Sequence, residues 1–170
     1  MRPVVSSPVL LVTFGLPGAG KSFVARALAQ RGFHAHDGDD ELPTDMRAAI
    51  ERAEPVTEDM RDRFVDALVA RVATLGHHQR LVIAQTFLKQ RHRSRFLSRF
   101  PHARFVLVRA SDAVRVRRLE HRTHQPLDAA YTRKMVTLFD EPLEPYAIID
   151  NTGDARSLEA QLDALVQHLN

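Results

Sequence analysis

The stretch VLLVTFGLPGAGKS, residues 9–22, limits what this chain can fold into more than any other segment. Its first six residues are an almost unbroken apolar run, the pattern of a strand buried on both faces. Directly behind them, Gly15, Gly20, Lys21 and Ser22 fill every fixed position of the Walker A pattern. Such a loop works only between a strand and a helix, because its backbone N–H groups and the helix N-terminus must converge on phosphate oxygens. Lys21 is then placed to reach the β- and γ-phosphates, and the Ser22 hydroxyl to sit on Mg²⁺. Pro17, Gly18 and Ala19 complete the loop and Phe23 follows in the first helical turn, so ATP is the expected co-substrate. A glycine-rich turn that binds nothing is the competing reading, and the strand-loop-helix context argues against it.

Beyond the loop, apolar runs alternate with segments of helical spacing, which predicts an α/β fold: a central five-stranded parallel sheet with helices on both faces. The expected strands are VLLVTF, FHAHD ending at Asp37, LVIAQT, RFVLVRA and YAIID. Helices are expected over residues 22–30, 44–51, 57–75 with Thr57 as N-cap, 89–100, from Ser111 or Asp112 to about Arg122, and in the C-terminal stretch carrying Leu158, Leu162, Leu165, Val166 and Leu169. THQPLDAAY breaks the helical pattern after Arg122, as a mobile segment would. At 170 residues, without repeats or linkers, the chain reads as one domain.

Composition narrows the function classes. Absence of cysteine excludes disulfides, thiolate metal sites and cysteine nucleophiles. The histidines, His34 and His36 included, lack paired ligands at metal-site spacing. No segment approaches the roughly 18 apolar residues of a membrane span, and the short run after Arg2 leads into the phosphate loop instead of a cleavage site, so a cytoplasmic protein is expected. A pI near 9.8 invites a nucleic-acid reading, yet the net charge is only +3. Lysine occurs only at Lys21, Lys89 and Lys134; arginine supplies the remaining basic charge.

The third expected strand ends Ala84-Gln85-Thr86, without the aspartate that switches and motors use for Mg²⁺. Carboxylates come instead after the second strand, in DGDDE. Asp37 is placed to hold the water shell of Mg²⁺, and Asp39 to orient an acceptor hydroxyl and take its proton. An acidic surface turn is the bland alternative for that stretch.

GLPGAGKS, DGD, EPVTEDMRDRF, FLKQRHR and MVTLFDEPLEP occur in the order and at nearly the spacing found in gluconate kinases. On these segments the chain resembles that family, within the shikimate-kinase-like group of small P-loop kinases. The resemblance implies ATP-dependent phosphorylation of a hydroxyl on a sugar acid or related small anionic polyol, an acceptor-binding helical segment at about 40–75 and a lid at about 118–131. Carried over by position, Arg61, Lys89 and Arg93 would bind the acceptor, three cations that suit a carboxylate. Arg118 and Arg122, four apart on one helix face, would serve the lid and stabilise the transferred phosphoryl group. Asn151 and Thr152 would line the adenine. Arg91 and Arg95 read better as a solvated helix face. Dimers are common in that family, so the resemblance also implies a homodimer.

Two departures fall around the acceptor pocket. DELPTDMRAAI keeps Pro43 but lacks the histidine that precedes it in gluconate kinases, and their tryptophan is missing within RDRFV. Gln125 stands where shikimate kinases place an arginine before Pro126. The acceptor's identity therefore stays open, alongside two other readings: a kinase for a nucleoside or nucleic-acid 5′-hydroxyl, and a nucleotide-binding regulator without turnover.

Overall fold

Five strands, β1 (Val9–Phe14), β2 (His34–Asp37), β3 (Arg80–Ala84), β4 (Arg104–Arg109) and β5 (Tyr146–Asp150), form one all-parallel sheet in the order β2-β3-β1-β4-β5. The computed structural model of the protein describes residues 8–121 and 129–169. β1 is central, with Leu11 opposite Val82 of β3 on one side and Arg104 of β4 on the other. Both of its faces are covered, which is why its sequence shows no polar alternation.

Helices α1 (Lys21–Ala29), α2 (Thr44–Glu51), α3 (Glu58–Thr74), α4 (Gln90–Arg99), α5 (Asp112–Glu120), α6 (Ala129–Thr137) and α7 (Ala155–Gln167) surround the sheet. One core layer joins Leu10, Val12 and Phe14 of β1 to Val65, Leu68 and Val72 of α3 and Phe96 of α4. The opposite layer joins Leu11 to Val24 and Leu28 of α1 and to Leu158 and Leu162 of α7. The apolar stripe expected on α7 is therefore core.

Most caps are local. The Thr57 hydroxyl accepts from Met60 N at 3.2 Å and so starts α3, as expected. Of the two candidates for α5, Ser111 is the cap, accepting from Val114 N at 3.4 Å. β3 stops at Ala84, two residues short of expectation, because Gln85 and Thr86 turn to meet the phosphate loop: Gln85 N donates to Thr13 O at 3.0 Å and Gly15 N to Thr86 O at 3.3 Å. α6 was not expected, since THQPLDAAY reads as a break. Half of the expected lid segment, residues 122–128 with Arg122 among them, lies outside the described residues.

From β1 the chain runs outward to β2, whereas from β3 it crosses β1 to reach β4. Connections that leave in opposite directions open a crevice at the carboxyl ends of the strands, where doubly wound folds bind ligands. Among the described residues no helix is long and apolar enough to cross a membrane.

Candidate active site

That crevice is a cleft of about 720 Å³, bordered by Pro17, Gly20, Lys21, Ser22 and Phe23 of the phosphate loop and the start of α1, by Asp37 at the end of β2 and Asp39 beyond it, and by Arg61 of α3. The loop is braced from outside. Arg118 donates from Nη1 to Gly18 O and Ala19 O, both at 3.2 Å, and from Nη2 to Asn151 O at 2.8 Å. The Asn151 side-chain amide donates to Ala19 O at 2.8 Å, and Arg115 donates to Pro17 O at 3.4 Å. Two glycines make this close approach feasible. Gly18 (φ 80°) would place a Cβ 2.8 Å from Arg115 O, and Gly20 (φ 95°) would drive one into Asn151 Nδ2. Lys21, Ser22 and Phe23 open α1, whose first-turn N–H groups have no intrahelical acceptors and so suit an anion. The Lys21 ammonium lies 3.2 Å from Leu16 O.

Opposite the loop, Ser22 Oγ donates to Asp37 Oδ2 at 2.7 Å, and Asp39 N donates to Asp37 Oδ1 at 3.1 Å. One hydroxyl and one carboxylate at the mouth of a phosphate loop fit Mg²⁺, which keeps several waters and takes few protein oxygens. No cluster of three or more His, Cys, Asp or Glu able to hold a metal occurs among the described residues. Ser22 and Asp37 would thus share a Mg²⁺ with waters and phosphates. Asp39 is exposed and borders the same cleft, two residues beyond.

The residues expected to bind the acceptor divide. Arg61 borders the cleft, with its Nε 3.8 Å from Glu58. Lys89 does not border it, because its ammonium turns to Asp140 at 3.3 Å. Arg93 is the clear correction: it is fully buried and holds the chain instead of a ligand. Its Nη1 donates to Phe87 O at 2.6 Å and Leu88 O at 3.2 Å, its Nη2 to Gln90 Oε1 and Asp140 O at 2.7 Å each, and its Nε lies 2.7 Å from Glu144. Burial holds this guanidinium below its ordinary range, against the opposing pull of Glu144. Phe87, at φ 44°, takes a backbone conformation that costs a non-glycine residue free energy, and Arg93 pins its carbonyl there. Asp140 also caps α4, accepting from Gln90 N at 3.0 Å, a bond that lowers its carboxyl below the usual range. The DEPLEP segment is therefore a structural tether onto α4.

Arg118 and Asn151 stand behind the loop instead of bordering the cleft, and burial, reinforced by Arg117, lowers the Arg118 guanidinium. The Thr152 hydroxyl accepts from Ser111 N at 2.9 Å, outside the cleft. Arg91 pairs with Glu58 and Asp62 of α3, and Arg95 with Asp66, so the basic stretch RHRSRF is matched by carboxylates across the helix pair.

Several cleft residues are absent from the sequence reading. His92 is buried, borders the cleft and sets Nε2 3.1 Å from Asp62 Oδ1. Burial pulls its imidazole below the ordinary value, outweighing Asp62. Gln85, Arg26 and an apolar group from α2, α3 and α6 also face the cleft. The apolar spacing of Met46 and Ile50, four apart on α2, is the signal that could have found part of it.

A family profile described as AAA domain matches residues 10–142. The chain belongs to this AAA domain family. Its fold is shared by solved P-loop kinases. A gluconokinase from Sinorhizobium meliloti superposes with a TM-score of 0.78 at 24% identity, covering 95% of both chains. A sugar kinase from a Janibacter species gives 0.78 at 20% identity, covering 94% of this chain and 95% of the other. An APS kinase from Mycobacterium tuberculosis, in complex with AMPPNP and APS, gives 0.65 at 16% identity over 96% and 98%. No curated protein matches by sequence. The fold of this AAA domain chain is thus that of the small-molecule kinases it resembles, spread across several acceptor types.

Proposed function

We propose that the protein transfers the γ-phosphoryl group of ATP to a hydroxyl of a small anionic acceptor, in the sugar-acid or related polyol class. The observation that carries this reading is the placement of Lys21, the Ser22–Asp37 pair, Asp39 and Arg61 around one cleft. The acceptor oxygen would bond to the γ-phosphorus as the bond to the β–γ bridging oxygen breaks; ADP leaves, and the hydroxyl proton passes to the Asp39 carboxylate. Lys21 and the first-turn N–H groups of α1 would hold the phosphates, and Arg61 would orient an anionic group of the acceptor. Mg²⁺, held by Ser22 and Asp37, would neutralise phosphate charge. The similar structures of a gluconokinase, a sugar kinase and an APS kinase, the last in complex with AMPPNP and APS, support this class.

A polynucleotide acceptor is less well supported, because Arg91 and Arg95 already answer the carboxylates of α3. The test is incubation with ATP, Mg²⁺ and a panel of hydroxy acids, polyols and nucleosides, with products read by mass. Phosphorylation of one anionic member, lost in Lys21→Ala, is expected. Phosphorylation of none, or undiminished turnover by Lys21→Ala, would overturn the proposal.

A further inference from the structure

The cleft is lined by both polar and apolar side chains. Asp39, Arg61 and His92 supply polar groups to its lining. His92 is held there by its Nε2, 3.1 Å from Asp62 Oδ1. Also lining the cleft are Leu42, two residues before α2, Met46 and Ile50 of α2, the three spaced four apart, and Phe64 of α3, one turn beyond Arg61. These four side chains present only carbon and sulfur. A hydroxyl pressed against them loses water and gains no partner, at a cost of about tenfold in affinity for each group so buried. An open-chain sugar acid carries hydroxyls all along its backbone and cannot keep them all away from this wall.

We infer that the acceptor is amphipathic: a small hydroxy acid whose carboxylate and reacting hydroxyl meet Arg61 and Asp39, and whose other flank is bare hydrocarbon packed on Leu42, Met46, Ile50 and Phe64. This assignment rests on the kinase reading of the same cleft; among small anionic acceptors it favours a hydroxy acid with few hydroxyls over an open-chain sugar acid. It also gives a physical role to the DELPTDMRAAI segment, in which Leu42 stands before Pro43.

The experiment compares two probes on the full chain: gluconate, with five hydroxyls, and 2,4-dihydroxy-3,3-dimethylbutanoate, whose quaternary carbon bears two methyl groups. Phosphorylation is read by product mass and ADP release. Binding is read by calorimetry in the presence of AMPPNP. The dimethyl compound is expected to be favoured in kcat/KM by about a hundredfold, two hydroxyls' worth of avoided burial. Ile50→Asn, at a half-buried position, should shift that ratio toward gluconate by at least about tenfold without changing AMPPNP affinity. Leu42→Asn should act in the same direction and guards against one variant failing to fold. Preference of the wild type for gluconate, or a ratio that neither substitution moves, overturns the inference while leaving the kinase reading intact. Binding of the dimethyl compound without its phosphorylation supports the wall assignment and counts against phosphoryl transfer. Binding of neither probe overturns the inference.

Discussion

Arg93→Met tests whether a cation next to the cleft acts on the ligand or on the chain. The substitution keeps an unbranched side chain of similar length and removes a guanidinium with no exposed surface. It leaves the carbonyls of Phe87 and Asp140 without the guanidinium donor, while Leu88 O keeps the Asp140 N–H at 2.8 Å, and it leaves Glu144, whose side chain is 7% exposed, without its countercharge. Removing one partner of a buried ion pair costs about 3–5 kcal/mol. For a chain of this size each kcal/mol moves Tm by roughly 2–4 °C, so a fall of about 6–20 °C is expected. In the double variant Arg93→Met/Glu144→Leu the uncompensated charge is gone and only the carbonyls of Phe87 and Asp140 lose their donor. It should recover about half of the loss, about 2 kcal/mol. Thermal and urea unfolding of the four proteins reads this directly. An Arg93→Met protein that melts within about 2 °C of wild type but binds the acceptor tenfold more weakly would refute the structural role and restore the residue to the cleft.

Two further outcomes follow from the geometry. Gly20→Ala, blocked by Asn151 and by its left-handed backbone, should weaken nucleotide binding at least about tenfold by calorimetry, through distortion of the loop. Stability should also depend on pH below neutrality. His92 and His78 are both lowered from an ordinary value of 6.5, chiefly by burial, with His34 and His77 adding to the effect at His78. The unfolded chain therefore binds more protons than the folded one, so stability present above pH 6.5 is lost as pH falls below it. His92→Gln should flatten part of that decline in Tm measured from pH 7.5 to 5; an unchanged slope would mean His92 does not carry it.

The sheet and the phosphate loop were legible because each rests on local pattern: β1 on an apolar run buried from both sides, the loop on glycines at fixed spacing, α3 on Thr57 as its cap. The strand pattern also located Asp37, which ends β2, and Asp39 just past it, and both border the cleft. What escaped depends on residues distant in sequence. Arg93 looked like a ligand cation, yet it shares its helix face with Phe96 and Phe100, and that apolar spacing points it inward. Its partner Glu144 lies outside α4 altogether, in the segment after α6. The Asp62–His92 contact likewise joins α3 to α4 across a whole strand. Arg118 was readable as a basic residue at lid spacing, but only the fold shows the loop carbonyls that occupy it.

Asp39→Asn separates phosphoryl transfer from nucleotide holding, since it removes the proposed proton acceptor and leaves Lys21 and Ser22 in place. Nucleotide affinity by calorimetry and acceptor phosphorylation by mass are measured on the same preparation. Expected are an affinity within about twofold of wild type and transfer reduced about 10²- to 10⁴-fold, the usual contribution of a positioned general base. Transfer at the wild-type rate by Asp39→Asn would contradict the proposed role of Asp39.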